Sequence, residues 1–272
     1  MVKRITHSSG KVFCLGRNRP KPGQMKLHMR NVLNLSKLPT PPTTCSYSPA
    51  AATALSQMYL NDQYGDCVIA GMAHTVGVLT GNSGVGSTIF TPAQIVSLYS
   101  DIGGFNPENP QATDNGCDEV TAWTYWKNTG APAGANKIAG WISVDGTNPA
   151  EYTAACWLFE NLLFGVELPD SWISPFPSEP GFVWDAGVSD PDNGHCFLGV
   201  DYYPDGSVAI DTWGMLGRIT PAAMAKNAST AGSGELYAVV SQESLIKATA
   251  KAPSGFDWEQ TCAYFEEMGG GL

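Results

Sequence analysis

The chain is poor in charge. Of its 272 residues only 15% are Asp, Glu, Lys or Arg, against 43% hydrophobic. That balance excludes a disordered chain and leaves enough apolar material for a substantial buried core. No stretch is apolar for long enough to span a bilayer. Basic residues near the start have no apolar run behind them, so no secretory signal peptide is expected, and a cytoplasmic location, or one within an assembled particle, is. No Cys-x-x-Cys pair occurs, which argues against a structural zinc site; no metal or organic cofactor is expected. The seven cysteines are odd in number and irregularly spaced, and read as free thiols in a reducing compartment. No internal repeat is visible.

Acidic residues are missing from the first 61 positions. Nine of the 15 basic residues fall there: Lys3, Arg4, Lys11, Arg17, Arg19, Lys21, Lys26, Arg30 and Lys37. The remaining six basic residues face all 25 acidic ones, a formal charge of −19 on the rest of the chain. Residues 1–45 therefore read as a basic, extended N-terminal arm ending in the turn-forming run Leu38-Pro39-Thr40-Pro41-Pro42. Three contacts stay open for it: the protein's own acidic body, an acidic partner, or nucleic acid. The arm lacks interleaved aromatics, which weakens a single-strand nucleic-acid role.

Helix signals dominate the first half of the body. Cys67 to Leu79 is a run of small and apolar residues that fits a buried helix, with Asp66 at its N-cap. Thr91-Pro92-Ala93-Gln94 has the cap, first-turn proline and capping-box glutamine that open a helix to about Tyr99. Asp118 to Asn128, closed by Gly130, is a third helix. Asn148-Pro149-Ala150-Glu151 opens a fourth, running to about Asn161. Strand signals follow at 162–168, 196–202, 207–211 and 236–240, the middle two joined by Tyr203-Pro204-Asp205-Gly206. Helices first and antiparallel strands later predict an α+β fold with two segregated lobes, about 46–160 and 161–262, and a flexible tail over 263–272.

Three short pieces carry chemistry. Gly65-Asp66-Cys67 puts a thiol at a helix N-terminus, where the dipole and free N–H groups favour thiolate. Asn193-Gly194-His195 sets a histidine just before a strand, placed to take a thiol proton. Asp211-Thr212-Trp213-Gly214 ends the paired strand, and Asp211 there is placed to accept from the imidazole and fix its tautomer. His195 lies 128 and Asp211 144 residues after Cys67.

In this order and spacing the chain resembles the papain-like cysteine peptidases, in which a nucleophilic cysteine opens the central helix of the first lobe. In that family a histidine starts a strand of the second lobe. An Asn or Asp follows on the next strand, two residues before a tryptophan. His195-Cys-Phe-Leu-Gly-Val-Asp-Tyr-Tyr followed by Val208-Ala-Ile-Asp-Thr-Trp-Gly214 is similar to the family's histidine hairpin and Asn-Ser-Trp-Gly segment. Gly116-Cys117 is similar to its Gly-Cys segment. The resemblance covers about residues 55–240. It implies a two-lobed fold, with Cys67 on the central helix of the helical lobe and His195 and Asp211 on an antiparallel β lobe. It also implies an oxyanion-holding amide before the cysteine, and shielding of the His195–Asp211 bond by Trp213.

The chain departs from the family pattern at several points. Val68 stands where an aromatic follows the nucleophile. Asp66 places a carboxyl beside the thiol, expected to raise its pKa. The family's glutamine lies six residues before the cysteine. Here that position is Asn61, while Gln63 is only four before; Gln63 is preferred as the catalytic amide. Asn61, Gly65, Asp66, Gly194 and Trp213 are expected around the bound substrate. His74 reads as structural and Cys196 as core. Asp114, Asp118 and Glu119 read as a solvated acidic loop, a cation site being the other reading. Asp185, Asp190 and Asp192 are candidates for the cleft wall.

These readings converge on a thiol hydrolase, a cysteine peptidase acting through an acyl-enzyme on Cys67 with a peptide or protein substrate. A structural or assembly protein that keeps the fold with little activity is the alternative. Acyl transfer on the same residues is a third reading, and self-docking of the arm in the cleft would make the chain a zymogen. Oligomerisation stays open.

Overall fold

A computed structural model describes residues 2–24 and 26–267. The arm is folded onto the body. Strands β1 (Lys3–Thr6) and β2 (Val12–Leu15) pair antiparallel, Lys3 opposite Leu15. A short helix α1 (Met29–Val32) follows, and β3 (Cys45–Ser46) joins the main sheet beside Tyr202 and Asp201. What looked like an extended arm is thus partly structural. Phe13, Leu15, Leu27, Met29 and Val32 are all buried, and this apolar content docks a segment whose charges dominate its composition.

The helical layer comprises α2 (Ala52–Leu55), α3 (Cys67–Asn82), α4 (Pro92–Gly103), α5 (Pro110–Thr113) and α6 (Glu119–Thr129). The predicted capping box of α4 forms between Thr91 and Gln94. Asp118 caps α6 by accepting from the Thr121 N–H. Strand β4 (Ile138–Ser143), α7 (Pro149–Phe159), β5 (Leu162–Pro169), α8 (Asp170–Ile173), β6 (Val183–Trp184), β7 (Ser189–Tyr202), β8 (Val208–Thr212), β9 (Met215–Ile219), α9 (Pro221–Asn227), β10 (Glu235–Ser241), α10 (Gln242–Lys251) and α11 (Trp258–Glu267) complete the chain. Residues 263–267, expected in a flexible tail, close α11, whose Phe265 is buried against Gly140; residues 268–272 of that tail lie outside the described residues.

The fold is α+β and two-lobed. Its sheet runs β4-β10-β5-β7-β8-β9-β6, with β3 on β7. Strand β4 falls in the half read as helical: Ile-Ala-Gly-Trp-Ile-Ser is too short and too uniformly buried to show a period of two. One face of the sheet (Leu163, Cys196, Leu198, Val200, Ala209) packs on α3, α4 and α6. The other (Phe164, Val166, Phe197, Ile210, Leu236) packs on α7, α9 and the arm. Adjacent residues of a strand therefore belong to different layers. No helix among the described residues is long and apolar enough to cross a membrane.

The β7–β8 hairpin contains an irregularity that decides the site. Tyr202 pairs with Val208 and Asp201 with Ala209, but Gly199 pairs with Ile210 and Leu198 with Asp211. Val200 is the extra residue. Without it, Asp211 would share the sheet face of His195. With it, Asp211 turns to the α3 face and Thr212 takes its place.

Candidate active-site groove

Cys67 opens α3 and is buried, 1% exposed. Asp66 does not cap the helix. Its Oδ1 accepts from Asn61 Nδ2 at 3.2 Å, and complete burial holds its carboxyl well above the usual carboxylate range. The expected negative charge beside the thiol is therefore suppressed. Burial is the main cause that pushes the Cys67 thiol up to about 12, against backbone hydrogen bonds from Cys196 and Gly16 to its sulfur.

His195 stacks on Trp213, ring centroids 4.3 Å apart and planes 16° apart. Its Nε2 lies 2.7 Å from Thr212 Oγ1, and its buried Nδ1 has no hydrogen-bond partner. Burial alone depresses its pKa to about 3, so it is neutral. The imidazole, expected on Asp211, is met by Thr212 instead, because the extra residue Val200 turns Asp211 to the α3 face. Asp211 instead faces His74, Oδ2 to Nδ1 3.2 Å, although not at an angle that makes a hydrogen bond. His74 Nε2 lies 2.9 Å from the Gln57 carbonyl, so Nε2 carries the proton and Nδ1 is a lone pair. Burial raises the Asp211 pKa well above its usual value and lowers that of His74 to about 4, which leaves a neutral acid beside a neutral imidazole. Asp211 and His74 are packed between the sheet and α3, both buried. Cys67 and His195 are not hydrogen-bonded: Cys196, not His195, is the β7 side chain turned to α3, with its Sγ 3.2 Å from where a Cβ on Gly71 would lie.

The arm lies along the segments that precede the two residues. On one wall Cys14 N–H donates to Asn61 O at 2.9 Å, and Asn61 Nδ2 donates to Cys14 O at 3.1 Å. Gly16 O accepts from Cys117 N–H at 3.1 Å, and Asn18 N–H donates to Cys117 O at 2.9 Å. On the other wall Arg17 N–H donates to Gly194 O at 3.1 Å. The fit is backbone on backbone: a Cβ on Gly16 would lie 1.8 Å from Gly65 O, and one on Gly194 would lie 2.2 Å from Arg17 O. Gly65 and Gly194 thus line a groove whose occupant is the protein's own arm. Asn61 is the amide aimed into it. Gln63, preferred from the sequence, is exposed, because the turn over 57–66 points it outward.

The acidic residues read as solvated receive the arm's cations. Asp114 accepts from Gly65 N–H at 2.9 Å, from Tyr99 Oη at 2.8 Å and from Arg4 at 3.1 Å. Lys21 pairs with Asp118 at 3.1 Å and Arg19 with Glu167 at 2.6 Å. Lys3 lies 3.9 Å from Asp190 and bonds Asn193. Asp192 lines a surface cavity along the arm with Arg17 and Gly194. Asp185 is elsewhere, accepting from Thr220 Oγ1 at 2.7 Å.

Arg17 is the deepest of these residues, its side chain fully buried. Nε donates to both Glu119 oxygens at 3.0 and 3.2 Å, and Nη2 to Glu235 Oε2 at 2.6 Å. Glu235 also accepts from Tyr237 Oη at 2.5 Å and from Lys26. Burial, together with the nearby Glu235 carboxylate, holds Glu119 above the usual carboxylate range, Arg17 pulling the other way. Residue-type patterns alone did not single out this pocket; the charge asymmetry between arm and body was its one signal.

Two substitutions separate the roles on β8. In an arm-displaced background such as Gly16→Ala, Thr212→Val is expected to shift the pH profile of Cys67 alkylation and slow it about tenfold. Asp211→Ala is expected to leave that profile in place, because Asp211 makes no bond to His195.

Comparisons with known proteins give the fold. The chain matches no protein-family model, and no curated protein matches it in sequence. Solved structures do. Xylellain, a cysteine protease from Xylella fastidiosa, superposes with TM-score 0.61 at 13% identity, over 88% of this chain and 98% of that one. Digestive procathepsin L 3 of Tenebrio molitor larval midgut superposes at 0.57 and 11%, over 82% and 76%. Procathepsin B S9 from Trypanosoma congolense superposes at 0.55 and 12%, over 84% and 87%. The chain has the fold of papain-like cysteine proteases.

Proposed function

We propose that this chain, built on the papain-like fold, is a thiol hydrolase of the cysteine-peptidase type that is held shut by its own arm. The observation that carries the reading is the position of β2 and the residues after it, threaded between Asn61 and Gly194 with the Cys14 carbonyl on the Asn61 amide. A carbonyl held there by a side-chain amide mimics the carbonyl of a peptide awaiting attack.

In this reading the arm disables the site in two ways. It excludes water, which keeps thiol and imidazole neutral. Its Gly16 N–H, together with the Cys196 N–H, occupies the sulfur. When the arm leaves, Cys67 is free to turn to the unpartnered His195 Nδ1, and Nε2–H donates to Thr212. Cys67 Sγ attacks the carbonyl carbon as its proton passes to Nδ1. The oxyanion is held by Asn61 Nδ2 and the Cys67 N–H. The leaving amine takes the proton from Nδ1, and water, deprotonated by the same nitrogen, releases the acid. Trp213 covers the imidazole and keeps its hydrogen bond dry.

The test is turnover by full-length Gly16→Ala protein on an unstructured polypeptide, with acid quenching and mass spectrometry of Cys67. The expected result is a thioester on Cys67 that is absent in Gly16→Ala/Cys67→Ala. An added amine acceptor distinguishes hydrolysis from acyl transfer by product mass. A second reading, a structural protein on the same fold, is favoured by the engagement of Asp211 with His74 rather than His195. Absence of any adduct in the arm-displaced protein would select it.

A further inference from the structure

We propose that the pocket now filled by Arg17 is the selectivity pocket of the groove: it takes the side chain of an arginine in an extended peptide bound after the arm has left.

The pocket reads a guanidinium by shape and by charge. Glu119 at the start of α6 meets the Nε edge with both oxygens, and Glu235 at the start of β10 meets Nη2. Two carboxylates set on Nε and Nη2 suit the planar arginine, whose Nη1 stays unpartnered in the pocket; an ammonium is a point charge that cannot span both. Room for the fork comes from Gly165, where a Cβ would lie 1.9 Å from Glu119 Oε1 and 2.9 Å from Arg17 Nε. Cys196 lies opposite Gly165 across the β5–β7 pair. The pocket therefore joins the helical lobe to the sheet beside the Cys67 helix N-terminus. Carboxylates this deeply buried are costly without a cation, and an apolar side chain in the pocket would leave Glu119 with none and Glu235 with Lys26 alone.

The arm's other bonds in this stretch are non-specific. Gly16 O, Arg17 N–H and Asn18 N–H pair with the main chains of Cys117 and Gly194, which any extended segment can do. The groove reads backbone and the pocket reads the side chain. Arg17 is then an internal ligand standing in for the incoming arginine.

This inference rests on the groove being the substrate site, and the experiment keeps the two apart. The full chain carrying Gly16→Ala/Arg17→Ala empties both backbone groove and pocket. Fluorescein-labelled tetrapeptides Leu-Gly-Xaa-Asn, with Xaa arginine, lysine, norleucine or glutamate, are titrated by anisotropy, and Cys67 alkylation is followed in parallel. The arginine peptide is expected to bind at least tenfold tighter than norleucine, with lysine between and glutamate weakest. Adding Glu119→Gln and Glu235→Gln is expected to erase that order. If the double variant fails to fold, Gly16→Ala alone serves: the tethered arm weakens every peptide but preserves the arginine-to-norleucine ratio. Norleucine within twofold of arginine, no binding at millimolar peptide, or a preference that survives the two glutamines would each overturn the pocket assignment. An arginine preference with an inert Cys67 sinks the hydrolase reading and leaves the pocket standing; a reactive Cys67 without the preference does the reverse.

Discussion

Full-length Gly16→Ala protein is expected to alkylate at Cys67 about a thousandfold faster than wild type at pH 7. The thiol of the closed protein is pushed up to about 12, mainly by burial. At pH 7 that leaves a thiolate fraction of about one in 10⁵, against a few per cent for an ordinary thiol with pKa about 8.5. Gly16 cannot carry a methyl group without meeting Gly65 O at 1.8 Å, so the substitution evicts the arm rather than decorating it. The pH dependence has a defined sign. In wild type the rate should keep climbing about tenfold per pH unit beyond pH 9, because the closed thiol is still titrating. In Gly16→Ala it should level off below pH 8.5 if Cys67 and His195 form an ion pair. Adding His195→Ala should move the plateau back towards 8.5. Iodoacetamide labelling with peptide mapping reads all three. Equal rates in wild type and Gly16→Ala would mean that the arm does not govern access to Cys67.

Arg17→Ala alone should be among the most destabilising single changes in the arm. It strips Glu119 of its cation and leaves Glu235 with Lys26 alone, and breaking a buried pair in this way costs about 3–5 kcal/mol. That corresponds to a fall in melting temperature of about 6–20 °C if the chain unfolds as one unit. If the arm opens first, the loss is capped by the free energy of arm docking. Cleavage by trypsin after Lys11 and Lys26, neither of which is followed by proline, then rises while the melting temperature hardly moves. Arg17→Met combined with Glu119→Gln should recover part of the loss, because the cost comes from the uncompensated charge. Full stability and unchanged proteolysis in Arg17→Ala would show that the pocket charges are met by other groups, such as Lys26 on Glu235.

The fold was largely written in local signals. The Thr91–Gln94 capping box, the Asp118 and Asn148 caps and the Tyr203–Gly206 turn each depend on residues within one turn of each other, the α3 run beginning at Cys67 on one continuous stretch, and each appears where its residues place it. The uneven charge likewise follows from sequence alone, and six of the arm's nine cations are paired with body carboxylates. Tertiary structure alone decided which atoms meet. The partner of His195 turned on one extra residue, Val200, in the β7–β8 ladder. Side chains alternate with period two, so a one-residue slip exchanges Asp211 for Thr212, and no local preference announces the slip. The choice between Asn61 and Gln63 turned on how the loop before α3 coils, which spacing does not fix. The pocket holding Arg17 unites residues 17, 119, 165 and 235. Contacts so distant in sequence are set by which elements pack together, and a linear pattern carries no record of them.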